Sequence, residues 1–484
     1  MKKKLIFWPF VLAYFCLLIS SSQISIEIKT IFLFVWMMTW WIAEFAPMGI
    51  VALLPLIVFP TLGILDLKAA SVAYADPILF LFLGGFVLAK ALEKTELSQL
   101  FAISLLRKTG SSTLGVQFAF MIATSFMSMW ISNTSTTMMM VPIALAVVKK
   151  IQEFETLQIN AEQKLKKFQT GLMLIVAYSA SLGGMMTPIG TPPNLVFTGV
   201  LKKLYGIEID FFTWMVLTVP VGALCMLALF WVVKYGPLKS KLTFSQALIK
   251  SIHQVDPKVR RSLTSEQRGT LSIFVLVVFL WIFKTPINHL IGKTLLDDSI
   301  TALIGAILLF CYPFWNDKAQ TRRFILDTND IGKLPWDIFL LFGGSMCLAS
   351  GLEASGLLVK VVKLFEHIGH FPYFGSILIL TAAVVVLTEI MSNVALAAIA
   401  LPLVLGWAQS QGHSVESIGL MVALATSFGF SLPMSTPPNA IVFGTGHIRF
   451  QEMLTNGWIL NVATTLILVL VAYFWWPFVL SFGR

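Results

Sequence analysis

The tetrapeptide Thr-Pro-Pro-Asn occupies residues 191–194 and returns at residues 436–439, each time inside a long apolar run. Paired prolines remove backbone donors and end a helix, so each copy predicts a break that frees carbonyl oxygens. Two further motifs return in the same order, namely Gly-Gly at 84–85 and 343–344 and Ser-Asn at 132–133 and 392–393. Three motifs that recur at separations of 245 to 260 residues indicate an internal repeat.

The composition around these motifs is that of a membrane protein. Of the 484 residues, 57% are hydrophobic and 12% are charged, and the mean hydropathy is +0.84. An average soluble domain carries about 25% charged residues. A soluble enzyme, a disordered scaffold and a disulfide-bonded secreted domain are therefore excluded, and the four cysteines have no paired spacing.

Apolar runs bounded by charged residues, glycine or proline predict an all-α polytopic membrane protein with about eleven transmembrane helices. The runs lie near residues 5–20, 29–43, 47–64, 77–92, 170–203, 212–234, 268–284, 298–314, 337–356, 416–445 and 457–480. Two more runs, 116–148 and 373–408, are interrupted in the middle by polar clusters. Because non-helical backbone inside a membrane must be covered by protein or line a water-filled cavity, we interpret these two runs as re-entrant hairpins.

The formal net charge of +10 comes largely from basic clusters between the apolar runs. Such clusters orient a membrane protein, and they predict a cytoplasmic N-terminus, an uncleaved first helix and a C-terminus outside. The segments placed in the cytoplasm are 90–108, 149–167, 234–268 and 318–333. Counting each hairpin as two spans gives the same orientation. We therefore expect a multi-pass protein of the inner (plasma) membrane, surrounded by lipid and without a nucleic-acid partner.

Five spans separate the two copies of each motif, so the two halves of the chain cross the membrane in opposite directions. Inverted repeats with broken helices are typical of secondary transporters. The sequence has no Ser/His/Asp arrangement, phosphate-binding loop or nucleotide motif. We expect neither an enzyme nor an ATP-driven pump.

The interruptions carry the residues suited to binding. Hydroxyl, carboxamide and carbonyl oxygens are hard neutral ligands that suit Na+, and helix N-termini suit a carboxylate or another oxyanion. Ser128 precedes Ser132 by four residues, and Thr388 precedes Ser392 by four, a spacing that stacks two oxygens on one helix face. Polar side chains in membrane helices often only bridge helices. Four interruptions in two matched pairs favour a binding site over that alternative.

Trp-Ile-Ser-Asn-Thr at 130–134, Thr-Glu-x-x-Ser-Asn at 388–393 and the two Pro-Pro-Asn breaks resemble the divalent anion:Na+ symporter (DASS) family. The resemblance covers nearly the whole chain. It implies a homodimer in which a scaffold domain is fixed while a transport domain moves like an elevator. The expected division is scaffold at 1–115, transport domain at 116–234, scaffold at 235–372 and transport domain at 373–484.

The resemblance also implies the site residues, with Na+ as the co-transported ion and no organic cofactor. One Na+ site is expected at Ser128, Ser132, Asn133 and Gly190, and the other at Thr388, the carbonyl of Met391, Asn393 and Ser435. The substrate carboxylates are expected at Ser132, Asn133, Thr134, Thr191, Ser392, Asn393, Val394 and Thr436. Val394 departs from the threonine of dicarboxylate carriers, which leaves the preferred anion open. We expect the neighbouring Glu389 to orient its hairpin by hydrogen bonds rather than to carry protons.

The resulting expectation is Na+-coupled symport of a small dicarboxylate such as succinate, malate or fumarate into the cytoplasm. The alternatives within transport are a Na+-independent dicarboxylate exchanger and a Na+-coupled carrier of citrate or sulfate. An anion channel or a membrane sensor represents a different class. A sensor would normally carry a soluble signalling domain, whereas only short loops link these spans.

Overall fold

The computed structural model describes residues 2–20, 23–43, 45–109, 112–155, 161–237, 239, 263–316, 321–357, 360 and 372–482. Within these ranges the chain is nearly all helical. The basic cluster at 258–261, which contributed to the predicted orientation, lies outside the described residues.

The first half of the chain contains twelve described α-helices. They are α1 (Lys2–Ile19), α2 (Ile26–Ile42), α3 (Met48–Val51), α4 (Leu54–Thr61), α5 (Leu67–Val72), α6 (Pro77–Lys94), α7 (Leu97–Thr109), α8 (Thr113–Ser128), α9 (Asn133–Glu155), α10 (Ala161–Gly184), α11 (Pro192–Tyr205) and α12 (Phe211–Tyr235). A short 3-10 turn at Ala73–Ala75 joins α5 to the loop before α6.

The second half adds helices and one small β-hairpin. They are α13 (Ser265–Ile291), α14 (Asp298–Cys311), β1 (Pro313–Asn316), β2 (Thr321–Phe324), α15 (Thr328–Ile331), α16 (Trp336–Ala354), α17 (Tyr373–Thr388), α18 (Asn393–Ser410), α19 (Val415–Ala425), α20 (Pro437–Gly444), α21 (Phe450–Phe474) and α22 (Trp476–Phe482). The two strands pair antiparallel, with Pro313 opposite Phe324.

Seven of the described helices are long and apolar enough to cross a membrane. Shorter apolar helices include α8, α17 and α19, which end at Ser128, Thr388 and Ala425. The first two end where the sequence predicted an interruption, whereas α19 ends several residues before the predicted break at 431–439. The predicted breaks at 191–194 and 436–439 are also present, because α11 and α20 begin at the first proline of their pairs.

The structure differs from the sequence prediction in several elements. The run expected to span 47–64 is divided between α3 and α4. The run expected to span 298–314 is helical only to Cys311, because Pro313 cannot continue the helix and instead begins β1. Helix α7 was expected as a cytoplasmic connection and not as a helix. The last turn of this 13-residue helix contains Arg107 and Lys108, which favour a helix C-terminus, but its apolar content is too low to mark a span.

We call the polar interruptions of the two predicted hairpins, at 130–137 and 388–393, the first and second tips, and the Gly/Pro-rich stretches 183–194 and 431–439 the first and second breaks. Close backbone approach brings the end of α8, next to the first tip, onto the first break. A Cβ on Gly183 would collide with the carbonyl oxygen of Ser125 on α8, so only glycine fits between the two helices. A Cβ on Gly190 would likewise collide with the Gly184 carbonyl oxygen. Between the two halves of the chain, Gly199 of α11 packs on Phe342 of α16. These contacts fold the interrupted segments of the chain together.

Candidate functional site

One cavity of about 1030 Å³ lies where the two tips and the two breaks meet. Every residue expected to bind substrate lines it, namely Ser132, Asn133, Thr134, Thr191, Ser392, Asn393, Val394 and Thr436. Of the other expected Na+ ligands, Gly190, Met391 and Ser435 line the cavity as well. Ser128 and Thr388 do not line it, and both side chains are fully buried.

The first tip joins the end of α8 to the start of α9. Ser128 Oγ donates to Asn133 Oδ1 at 2.7 Å, so the buried hydroxyl and the carboxamide form one polar unit. Ser132 Oγ lies 3.1 Å from Ser135 Oγ and accepts from the Ser135 backbone N–H at 3.3 Å. A side-chain oxygen that accepts from the first turn of a helix is the usual N-terminal cap, and it fixes where α9 begins.

The second tip repeats this arrangement. Thr388 Oγ1 lies 2.8 Å from Asn393 Oδ1, and the two residues are five positions apart, as Ser128 and Asn133 are. Thr388 Oγ1 also lies 2.7 Å from the carbonyl oxygen of Thr426, at the end of α19. A hydroxyl has a single proton to donate, so three oxygens meet with one proton between them. A surplus of oxygen lone pairs is the property that a cation site requires.

Each break is held closed by the asparagine of its Pro-Pro-Asn motif. Asn194 Nδ2 donates to the carbonyl oxygens of Gly184 at 3.1 Å and Thr187 at 2.8 Å. Asn439 Nδ2 donates to the carbonyl oxygens of Gly429 and Leu432, at 3.0 Å each. The carboxamide thus supplies a donor to carbonyl oxygens at or beyond the end of the preceding helix, where the helical hydrogen-bond pattern has stopped. Sequence reasoning identified this motif but did not assign the asparagine this role.

The side-chain oxygens of the same two asparagines are buried. Neither Asn194 Oδ1 nor Asn439 Oδ1 has a hydrogen-bond partner among the residues that the structure describes. Next to the second break, Ser435 Oγ lies 2.8 Å from the Gly429 carbonyl oxygen and 2.7 Å from that of Leu432. Both breaks are therefore rich in oxygen acceptors relative to donors.

Glu389 ties the second tip to the second break and to α21. Its carboxylate accepts from the backbone N–H groups of Ser431 at 2.8 Å and Leu432 at 2.9 Å, and from Asn461 Nδ2 at 2.6 Å. Glu389 thus makes hydrogen bonds of the kind expected from the sequence. In the first half, Thr187 Oγ1 donates to the carbonyl oxygen of Met129 and joins the corresponding tip and break.

Three charged residues of the cavity wall were not among the expected site residues. They are Lys90 and Glu93 of α6 and Lys333, which precedes α16. The sequence does hold one signal for Lys90: this charged residue follows Phe86 by four positions, so it shares a helix face with an apolar run. Lys333 carries no such signal, because only the packing of distant segments brings it to the cavity.

Comparisons with known proteins identify the family of this chain. The family model for the sodium:sulfate symporter transmembrane region matches residues 3–482. The sodium-dependent dicarboxylate transporter SdcS of Staphylococcus saprophyticus is 36% identical over 459 residues, which cover 92% of this chain and 85% of that protein. The protein of the same name from Staphylococcus aureus is 32% identical over 454 residues, with the same coverage of both chains.

Two solved transporter structures share the fold at low sequence identity. The YdaH transporter of Alcanivorax borkumensis aligns with a TM-score of 0.54 and 14% identity, covering 83% of this chain and 86% of that one. MtrF of Neisseria gonorrhoeae aligns with a TM-score of 0.53 and 12% identity, covering 84% of each chain. With the family match over nearly its whole length and its apolar helices, this chain is an integral membrane protein that belongs to the sodium:sulfate symporter family, the divalent anion:Na+ symporters.

Proposed function

We propose that this protein is a Na+-coupled symporter that carries a small dicarboxylate into the cytoplasm. The observation that carries the proposal is the meeting of two matched hydroxyl–carboxamide pairs and two broken helices at one cavity. The relatives from Staphylococcus are named as sodium-dependent dicarboxylate transporters, so the same ion and class of anion are attributed to those proteins.

The Na+ ions take the oxygens of the two tips. The first site consists of Ser128, Ser132, Asn133 and Gly190, and the second of Thr388, Met391, Asn393 and Ser435, where glycine and methionine contribute carbonyl oxygens. Neutral oxygens in this number suit a hard monovalent ion. The burial of Ser128 and Thr388 supports ion sites that are screened from the solvent of the cavity.

The anion lies between the tips. Helices α9, α11, α18 and α20 all begin at the cavity, so the partial positive charges of their N-termini face the space where the carboxylates bind. The proline pairs leave α11 and α20 without N–H groups at their first two positions, so backbone donors are expected from α9 and α18. Ser132, Asn133, Thr134 and Thr191 serve one carboxylate, and Ser392, Asn393 and Thr436 serve the other. Val394 offers methyl groups where Thr134 offers a hydroxyl, so the second carboxylate has one donor fewer.

Coupling follows from charge balance. No lysine or arginine stands at either tip, and a dianion bound only by neutral groups lacks full compensation. Bound Na+ supplies that compensation and makes the anion site favourable. Each net positive charge that moves inward then gains about 2.3 kcal/mol per 100 mV of membrane potential.

The proposed architecture has two domains and two subunits. Residues 1–115 and 235–372 form the scaffold and hold a homodimer, and residues 116–234 and 373–484 form a transport domain that moves as an elevator with its two re-entrant hairpins. Glu93 and Lys333 of the cavity wall belong to segments that the charge bias assigns to the cytoplasm. We therefore infer that the cavity opens to the cytoplasm, with the N-terminus on that side and the C-terminus outside.

The test is uptake of labelled succinate by proteoliposomes with an inward Na+ gradient. We expect accumulation with Na+ and none when choline or K+ replaces it. Asn133→Ala and Asn393→Ala should each reduce Na+-dependent uptake at least tenfold, because each removes the carboxamide of one tip. Uptake that continues without Na+ and requires internal dicarboxylate would identify an exchanger instead. Preferential competition by citrate or sulfate would reassign the anion while leaving Na+ coupling in place.

A further inference from the structure

One face of α6 forms a wall of the cavity and carries charge. Phe86, Ala89, Lys90 and Glu93 all line the cavity, and their spacing of three, four and seven residues places them on one side of the helix. At the inner end of this face, Gly85 packs against Ile189, the residue before Gly190. Lys90 is five residues further along, about 7.5 Å along the helix axis. The lysine therefore lies in the same cavity as the tips. We call its end of the cavity the mouth, because the Glu93 and Lys333 side chains that line it there are 50% and 62% exposed.

The charge of Lys90 is only partly balanced. Its Nζ lies 3.3 Å from Glu93 Oε2, and the Glu93 side chain is 50% exposed, so water screens this pair. The Lys90 side chain itself is 19% exposed and remains largely inside the cavity wall. One weakly paired ammonium group therefore faces the cavity from a partly desolvated position.

A second ammonium group reaches the cavity from a distant segment of the chain. Lys333 lines the cavity and is 62% exposed. Its nearest carboxylate, Asp330, is 4.0 Å away and already lies 2.6 Å from Lys94. Among the described residues that line the cavity, the charged groups are thus two lysines and one glutamate. The mouth carries a net positive charge, whereas the tips are neutral.

We propose that Lys90, with Lys333, forms a second anion-binding site at the mouth of the cavity, on the release path of the substrate. The site takes a small dianion, and in transport this is the dicarboxylate that leaves the tips. The proposal rests on the proposed function, because it assigns a transient binding site to the substrate of that function. An ammonium group acts as a point charge and imposes little geometry on its partner. The tips therefore discriminate between different anions, whereas the mouth discriminates only by negative charge.

Substitution of Glu93 distinguishes an anion-binding site from an ion pair that only stabilises the helix. As the partner of Lys90, Glu93 competes with the anion for the same ammonium group. Removing the lysine should weaken anion binding at the mouth, and removing the glutamate should strengthen it. If the pair only stabilised α6, both substitutions would have the same sign.

The closing experiment measures the charge at the mouth directly. In a background with the exposed Cys16 and Cys311 replaced by serine, Ala89→Cys is treated in detergent with anionic and cationic methanethiosulfonate reagents. A unit charge about 7 Å away in water changes the ratio of the two reaction rates about sevenfold. Lys90→Gln should lower the anionic-to-cationic ratio by this factor, and Glu93→Gln should raise it. Lys68→Gln, a substitution of an exposed lysine outside the cavity, should leave it unchanged.

Ligand protection then tests binding. Without Na+, succinate or sulfate should slow modification of the Ala89→Cys variant when Lys90 is present, and the protection should fall at least threefold when Lys90→Gln is added. Equal protection by chloride at matched ionic strength, or unchanged rate ratios in both Lys90→Gln and Glu93→Gln, would overturn the proposal. These measurements need no transport, so failure of Na+-driven succinate uptake would count against the proposed function and not against the site at the mouth.

Discussion

Replacing Glu389 by glutamine tests how the second tip is attached to the second break. In the native arrangement Oε1 accepts from Ser431 N–H and Asn461 Nδ2, while Oε2 accepts from Leu432 N–H. A glutamine can keep its oxygen at the first position, but its NH2 group then points at the N–H of Leu432. One bond to a charged group is lost, which costs about 1.5–3 kcal/mol, and two donors are forced together.

The assay compares thermal unfolding and Na+ activation of succinate uptake in wild type and Glu389→Gln. Because the tip presents Thr388 and Asn393, a loss of about 1.5–3 kcal/mol in its attachment should lower apparent Na+ affinity by roughly 10- to 150-fold. Glu416→Gln is the matched control, since Glu416 is also buried but does not line the cavity. It should change stability without shifting Na+ activation.

Two results would refute this reasoning. Unchanged unfolding and unchanged Na+ activation in Glu389→Gln would mean that the three hydrogen bonds do not position the tip. Normal stability together with the loss of a pH dependence present in the wild type would instead assign the carboxylate a role in proton transfer. Either outcome is readily separated from the expected one, in which stability and Na+ affinity fall together.

Three further substitutions test the cavity. Thr388→Val preserves shape but removes the hydroxyl, and it should raise the Na+ concentration for half-maximal uptake at least tenfold; a normal Na+ curve would exclude the hydroxyl as a ligand. Val394→Thr adds a donor worth about 0.5–1.5 kcal/mol, so competition by malate or citrate against succinate should shift by roughly 2- to 12-fold; an identical competition profile would remove Val394 from the site. Gly184→Ala places a Cβ against Asn133 Oδ1 and should reduce Na+-dependent uptake. Gly444→Ala is the control, because no atom lies within 4 Å of its added Cβ, and it should leave uptake unchanged. Equal uptake in the two variants would show that the Gly184–Asn133 contact is not needed for transport.

The positions of the interruptions could be predicted from sequence because their causes are local. Proline pairs end helices wherever they occur, so the starts of α11 and α20 follow from residues 192–193 and 437–438 alone. The spacing of Ser128 and Asn133 within one tip is equally local. The repeat then indicated that the second tip would have the same form, and the hydroxyl–carboxamide distances of 2.7 and 2.8 Å agree.

Features that depend on packing between distant segments could not be predicted. Lys90 and Lys333 are far apart in the chain, and their place on one cavity follows from how α6 and the segment before α16 pack around the tips. The partners of Glu389 are 42 to 72 residues away, so the sequence indicated a hydrogen-bonding role but not the donors. Helix α7 was missed because it is short and its polar residues are spread along its length.

The hydrogen bonds that Asn194 and Asn439 make across the two breaks lower the cost of removing water from the cavity. In an exposed break the carbonyl oxygens would normally accept hydrogen bonds from water. Closing the cavity would then remove that water, at a cost of several kcal/mol for each carbonyl group. Here the carbonyls of Gly184, Thr187, Gly429 and Leu432 already have a protein donor. These four carbonyls therefore contribute little to a dehydration barrier. Under the proposed elevator mechanism, the ions, the anion and the tips would then set most of the cost of moving the closed cavity across the bilayer.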